Sequence, residues 1–139
     1  MRVRKVYFVD ANIFLRFLQK DNSIQSPKTK RLFQDAQKGK IKLITNSLII
    51  AELIWVLESV YKLDKEEVSE KIKLILVFKG LEIFERNLLL SAVDLYQSNN
   101  FDFADAYTSI WMRENKINSI YSFDRDFDKV ENITRIEPS

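Results

Sequence analysis

The sequence predicts an α/β fold, a three-layer α/β/α sandwich around a mostly parallel sheet of four to five strands. Three observations predict it. Short apolar runs alternate with segments of helical period along the whole chain, and strands separated by helices pair in parallel through right-handed crossovers. Only 2 Gly and 2 Pro occur in 139 residues, so connections are short and most of the chain is regular. The hydrophobic fraction of 46% and charged fraction of 30% are those of a globular chain. Its length suits a single domain over residues 1–139 that buries roughly two-thirds of its unfolded surface.

The elements follow in order. Val6–Val9 is an apolar run that reads as a first, buried strand. Ile13, Phe14, Phe17 and Leu18 have helical spacing, so a short helix follows at once. Ser26 then Pro27 predicts a second helix start, a cap followed by a first-turn proline, and Gly39 predicts its stop. Lys42–Thr45 is the second strand. Ile49, Ile50, Leu53, Ile54, Leu57 and Val60 trace one face of a third helix. Asp64 with Glu67 resembles a capping box for a fourth, with Val68, Ile72, Ile75 and Leu76 inward and Gly80 at its end. Leu81–Phe84 is a third strand. A fifth helix spans 88–97 after an Asn87 cap, and a sixth spans 103–114. Ser119–Ser122 and Ile133–Ile136 complete the strands.

Composition removes several chemistries. Without Cys there is no disulfide, thiolate zinc site or cysteine nucleophile; without His there is no histidine base, catalytic triad or histidine ligand. Hydrolytic chemistry would have to rest on carboxylates, Lys, Tyr or a hard metal. The basic N-terminus (Arg2, Arg4, Lys5) precedes an apolar run too short for a signal peptide, and the stretch near 48–57 is too short to span a bilayer, so the expected setting is the cytoplasm. Net charge is +2 but uneven: residues 1–42 hold 11 Lys/Arg against 3 Asp/Glu, and the remainder 11 against 17. A basic segment beside an acidic one suits an anionic partner, although a solvated helix face carries the same pattern.

The acids fall in a suggestive place. Asp10 ends the first strand, and Asp124 follows the fourth. Glu52 interrupts the apolar helix segment TNSLIIAELIWVL just past the second strand. Asp105 sits in the first turn of the sixth helix, with Asp102 three residues earlier. Ligands of parallel α/β sheets sit beyond the carboxyl ends of the strands. Each acid also has a simpler role. Asn12 could cap the first helix, Asp102 or Asp105 the sixth, and Asp124 could make a turn. Gathered at one rim, however, the carboxylates would repel each other until a hard divalent cation neutralised them.

These segments resemble the PIN domain, and within it the VapC-type ribonuclease toxins of toxin–antitoxin pairs. The resemblance covers nearly the whole chain, with VDANIF (9–14), AELIWVLESVYKL (51–63), FDFADA (101–106) and YSFDRDF (121–127) in order. It implies Asp10, Glu52, Asp105 and Asp124 as a catalytic, metal-holding set, with Asn12 orienting Asp10 or a water. Ser122 stands where the family usually has Thr and would steady the Asp124 loop through its hydroxyl. Asp102 is an outer ligand or a cap, and Asp126 is read as part of the turn.

The resemblance further implies Mg²⁺- or Mn²⁺-dependent endonucleolytic hydrolysis of RNA phosphodiesters, with phosphates gripped by basic residues. Arg16, Lys20, Lys28, Lys30, Arg31 and Lys40 on the first two helices are the candidates. It also implies a homodimer and a small cognate antitoxin as partners. Alternative readings are a non-catalytic PIN-like module binding RNA or protein, and an RNA-processing nuclease outside a toxin–antitoxin pair. A 5′-nuclease acting on DNA would ordinarily be a larger chain. A phosphotransferase of the haloacid-dehalogenase type would need a second Asp where Asn12 stands.

Overall fold

The computed structural model describes residues 5–98 and 101–139; the basic residues Arg2 and Arg4 lie outside them. The chain divides into two compact units, Met1–Arg86 and Asn87–Ser139. The α/β class and the parallel pairing are as the sequence predicts. The five expected strands are present, hydrogen-bonded as a three-stranded and a two-stranded parallel sheet.

In the first unit the strands β1 (Val6–Phe8), β2 (Lys42–Ile44) and β3 (Leu81–Glu82) pair in that order. Leu43 at their centre is fully buried, with Tyr7 and Leu81 as its neighbours in register. The buried first strand expected from sequence is corrected. β1 lies at the sheet edge, and Val6, Tyr7 and Phe8 are all exposed; burial begins only at Val9. Thr45, just past β2, is buried and donates its hydroxyl to the Val9 carbonyl at 3.0 Å, tying the carboxyl ends of β1 and β2 together.

Helix α1 (Ala11–Gln19) follows β1, and α2 (Gln25–Gln37) follows α1. Asn22, rather than Ser26, satisfies the start of α2: its side-chain oxygen accepts from the Ile24 and Gln25 amides at 3.1 and 2.8 Å. Ser26 and Pro27 therefore fall inside the first turn, because the helix begins at Gln25, two residues before the start expected from sequence. Helices α3 (Ser47–Ser59) and α4 (Lys65–Leu76) are capped by Asn46 and Asp64, which accept from the amides three residues on. The buried face of α3 is Ile50, Leu53, Ile54 and Leu57, whereas Val60 is exposed because the helix has ended. In α4 the inward residues are Val68, Ile72, Ile75 and Leu76, as their spacing predicts. Phe14, Phe17, Phe33 and Phe78 form an aromatic cluster beneath α1 and α2, with ring centroids 4.3 to 6.0 Å apart.

The second unit contains most of α5 (Arg86–Ser98), then α6 (Phe103–Glu114), β4 (Ser119–Tyr121), a 3₁₀ turn (Arg125–Lys129) and β5 (Thr134–Ile136). Helix α5 starts before Asn87, which is therefore its second residue rather than its cap. The core is built on Leu89, Val93, Tyr96, Phe101, Phe103, Ile110 and Phe127, and the Tyr96 and Phe103 rings meet edge-on at 6.1 Å.

Candidate functional site

The second unit gathers three carboxylates. Asp105, Asp124 and Asp126 each place an oxygen within 4.8 Å of the other two. Local backbone chemistry sets this arrangement. Asp102 caps α6 by accepting from the Asp105 amide at 2.8 Å, which fixes the first turn and presents Asp105 one turn in. Asp124 caps the 3₁₀ turn in the same way, accepting from the Asp126 amide at 2.9 Å. The Ser122 hydroxyl in turn accepts from the Asp124 amide at 3.0 Å, the hydrogen bond that would steady this loop.

Burial, then the charges of Asp102 and Asp124, a hydrogen bond to Asp124 and the charge of Asp126 push the Asp105 carboxyl up to about 6. A hard divalent cation favours an all-oxygen set of this kind and would relieve the repulsion. The donors present therefore fit Mg²⁺ or Mn²⁺.

Two neighbours of the cluster were not legible in the sequence. Lys129 sets its ammonium 3.0 Å from Asp126, partly offsetting the cluster's charge. Arg135 on β5 grips Asp128 through both carboxylate oxygens, at 2.9 and 3.3 Å, and donates to the Ser122 carbonyl at 3.0 Å and to Glu137 at 2.8 Å. It thereby braces both ends of the segment carrying Asp124. The only hint was an arginine placed between apolar-facing positions near two acids. Asp126, read from sequence as a turn residue, is a full member of the cluster.

The first unit carries Asp10 and Glu52. Asp10, not Asn12, caps α1, with one oxygen accepting from the Ile13 amide at 3.2 Å. Asp10, Asn12, Ile13, Arg16, Gln25 and Lys28 line an open depression of about 800 Å³ at the carboxyl end of β1. Glu52 lies in the second turn of α3, just beyond the carboxyl end of neighbouring β2. It is exposed there, on the helix face shared with Leu48 and Trp55, which are 76% and 63% exposed. Its break in the apolar pattern thus marks the outward side of α3 rather than a buried charge.

The basic candidates separate on the same unit. Lys28 joins Asp10 in its depression. Arg16 also lines it, but its guanidinium is held by Asp21 at 3.1 Å and Gln25 at 2.9 Å, with Asp21 further bonded to the Tyr61 hydroxyl. Lys20 and Lys30 line a separate groove with Phe17, Leu18 and Leu74. Arg31 is exposed on α2, and Lys40 lies 3.9 Å from Asp35 beyond that helix's end.

These features define a mostly parallel α/β protein with carboxylates beyond the carboxyl ends of β1, β2 and β4 and at the start of α6. The PIN domain family matches residues 7–133, and the chain belongs to that family. It is similar to a VapC ribonuclease of Aquifex aeolicus (strain VF5), 27% identical over 123 residues, covering 88% of this chain and 90% of that protein. It is also similar to the crystal structure of the Mycobacterium tuberculosis toxin VapC20, described as cleaving the sarcin-ricin loop. That likeness has a TM-score of 0.42 at 18% identity, over 96% of this chain and 100% of the other.

Proposed function

We propose that this PIN-family chain is a metal-dependent endoribonuclease acting in the cytoplasm as the toxin of a toxin–antitoxin pair. Residues 1–139 form its single nuclease domain. The observation that supports this reading is the Asp105–Asp124–Asp126 cluster, in a family member whose relative is a VapC ribonuclease. The absence of His and Cys leaves carboxylates, Lys, Tyr or a hard cation as the means of hydrolysis, and the cluster supplies carboxylates suited to such a cation.

In this reading Asp10, Glu52, Asp105 and Asp124 are the catalytic and metal-holding acids, and Asp126 adds a further oxygen. Mg²⁺ or Mn²⁺, if bound by these carboxylates, would supply Lewis-acid chemistry that activates water and offsets charge on the phosphate. Asp105 or Glu52 takes the proton of the attacking water. Asn12, beside Asp10, orients that carboxylate. Ser122 and the Asp102 cap hold Asp124 and Asp105 in place. Lys28 is the best-placed phosphate contact, because it lines the Asp10 depression. Arg16 needs release from Asp21 to serve, and Lys20, Lys30, Arg31 and Lys40 serve RNA lying outside that depression.

We further propose that the exposed Leu48 and Trp55 contribute to a homodimer or antitoxin contact, as expected of large apolar side chains left in water. The test is incubation of the protein with RNA in Mg²⁺ or Mn²⁺, a chelator control and sequencing of new ends. Cleavage only with metal, lost in Asp10→Asn, is the expected result. Full activity in that variant overturns the site assignment.

A further inference from the structure

A second polar cavity lies at the other end of the first sheet. It opens at the amino-terminal ends of β2 and β3, whereas Asp10 follows the carboxyl end of β1. Its volume is about 370 Å³, and its wall includes Gly39, Lys42, Lys79, Gly80, Glu82 and Arg86. Its charge is one-sided. Lys42 is paired with Glu82 at 2.6 Å, so those two offset each other. Lys79 is exposed at the mouth, and Arg86 reaches into the wall.

Arg86 is the informative group. One guanidinium nitrogen donates to the Leu81 carbonyl, which anchors the side chain. Its Nε is buried and has no acceptor among the described residues. A buried guanidinium donor without an acceptor is rare and costly, and a planar fork of this kind matches a tetrahedral oxyanion. The wall behind these groups is tightly packed backbone. Gly39 and Gly80 have φ of 80° and 99°, and a Cβ at Gly80 would collide with the Ala36 carbonyl.

We propose that this cavity is a phosphate-type oxyanion site, gripped by Arg86 and Lys79 and separate from the carboxylate site. The anion is either a phosphate of an RNA strand or the phosphate of a free mononucleotide. The inference stands whether or not the chain is a nuclease.

The chain contains no other glycine. Glycine-selective ¹⁵N labelling therefore gives two amide resonances, both reporting on this cavity without assignment. The full chain in EDTA is titrated with inorganic phosphate, with adenosine 5′-monophosphate and with a short single-stranded RNA. Sodium chloride of matched ionic strength is the control. Both glycine resonances should shift saturably with the phosphate-bearing probes and not with chloride.

Saturation by the RNA at lower phosphate concentration than by the mononucleotide assigns the site to a strand; equal saturation assigns it to free phosphate. Arg86→Gln should remove the shifts. Lys79→Glu changes an exposed side chain and should weaken phosphate on the order of tenfold with the fold intact. Glycine resonances that stay still with all three probes, that move equally with chloride, or that respond identically in Lys79→Glu overturn the proposal.

Discussion

The two units of the chain differ in charge as well as in fold. Residues 1–86 hold 17 Lys/Arg against 11 Asp/Glu, a net +6; residues 87–139 hold 5 against 9, a net −4. The first unit has the three-stranded sheet, the four-phenylalanine cluster and an acid that serves as a helix cap. The second has a smaller sheet and three carboxylates within 4.8 Å of one another. In the first unit a carboxylate lowers the cost of backbone termination. In the second, carboxylates raise each other's cost, and Asp105 is pushed up to about 6 as a result. A carboxylate that caps a helix is already partly compensated, whereas carboxylates that repel one another gain most from a cation, so in the proposed reading the second unit's cluster depends on metal more than Asp10 does.

The largest expected effect comes from removing a charge from that cluster. Asp105→Asn and Asp124→Asn should each lower RNA cleavage by about 10³-fold or more, because metal hold and water activation are lost together. Asn preserves the shape and the hydrogen-bonding oxygen, so the loss cannot be assigned to unfolding. At pH 7.5 without metal, Asp105→Asn should melt higher than the parent, because a repelled carboxylate has been neutralised. Cleavage assays with melting curves check both. A variant that melts higher and still cleaves fully would show the cluster to be electrostatic strain without a catalytic role.

Next in size is a core substitution in the first unit. Phe33 is buried among Phe14, Phe17 and Phe78. Phe33→Ala should cost about 3–5 kcal/mol through lost transfer energy and the cavity left behind. Each unit has one tryptophan, Trp55 in the first and Trp111 in the second. In Trp55→Phe and Trp111→Phe backgrounds, urea unfolding can be followed from either unit alone. If the chain is a single domain, Phe33→Ala lowers both midpoints equally. A shift seen only by Trp55 would make the two units independent folding domains.

The helices and strands were legible in the sequence because hydrophobic period and caps are local properties. Asp64 as the α4 cap, and Gly39 as the left-handed residue just past α2, follow from residue chemistry alone, whereas α4 ends at Leu76 and Gly80, expected as its stop, falls in the turn before β3. Which of two nearby polar residues caps a helix was less legible. Asp10 displaced Asn12, and Asn22 displaced Ser26, because the choice depends on the path of the entering chain. The exposure of β1 was not legible either. Three consecutive apolar residues look alike at the edge or the centre of a sheet, and only pairing decides. Within the site, Asp105 and Asp124 could be singled out by position. The membership of Asp126 and the bracing by Arg135 rest on the coil of a five-residue 3₁₀ turn, for which sequence offers no periodic signal.

A pH titration sharpens the electrostatic half of the comparison with a smaller effect. The folded Asp105 carboxyl titrates near 6 and the unfolded one near 3.8. Its protonated form is therefore favoured by folding. That contribution is fully present below about pH 4 and is lost as pH rises through about 6. The metal-free protein should lose stability between about pH 4 and 6 relative to Asp105→Asn. Mg²⁺ or Mn²⁺, which binds the ionised form, should offset the loss above pH 6. Equal pH slopes for the parent and Asp105→Asn in melting experiments would remove Asp105 as the titrating group.

The smallest expected effect isolates the first unit's acid. Asp10 has two separable roles, a cap on α1 and a proposed metal-holding carboxylate. Asn caps a helix about as well as Asp, whereas Ala does not cap at all. Asp10→Asn should therefore leave the melting temperature close to that of the parent while cleavage is lost. Asp10→Ala should lose cleavage equally and also destabilise the fold by about 1 kcal/mol, because the Ile13 amide loses its acceptor. Only the difference between the two variants measures the cap. If both melt alike, α1 is held by its Phe14 and Leu15 packing alone, and the Asp10 carboxylate has no structural duty to compete with its chemistry.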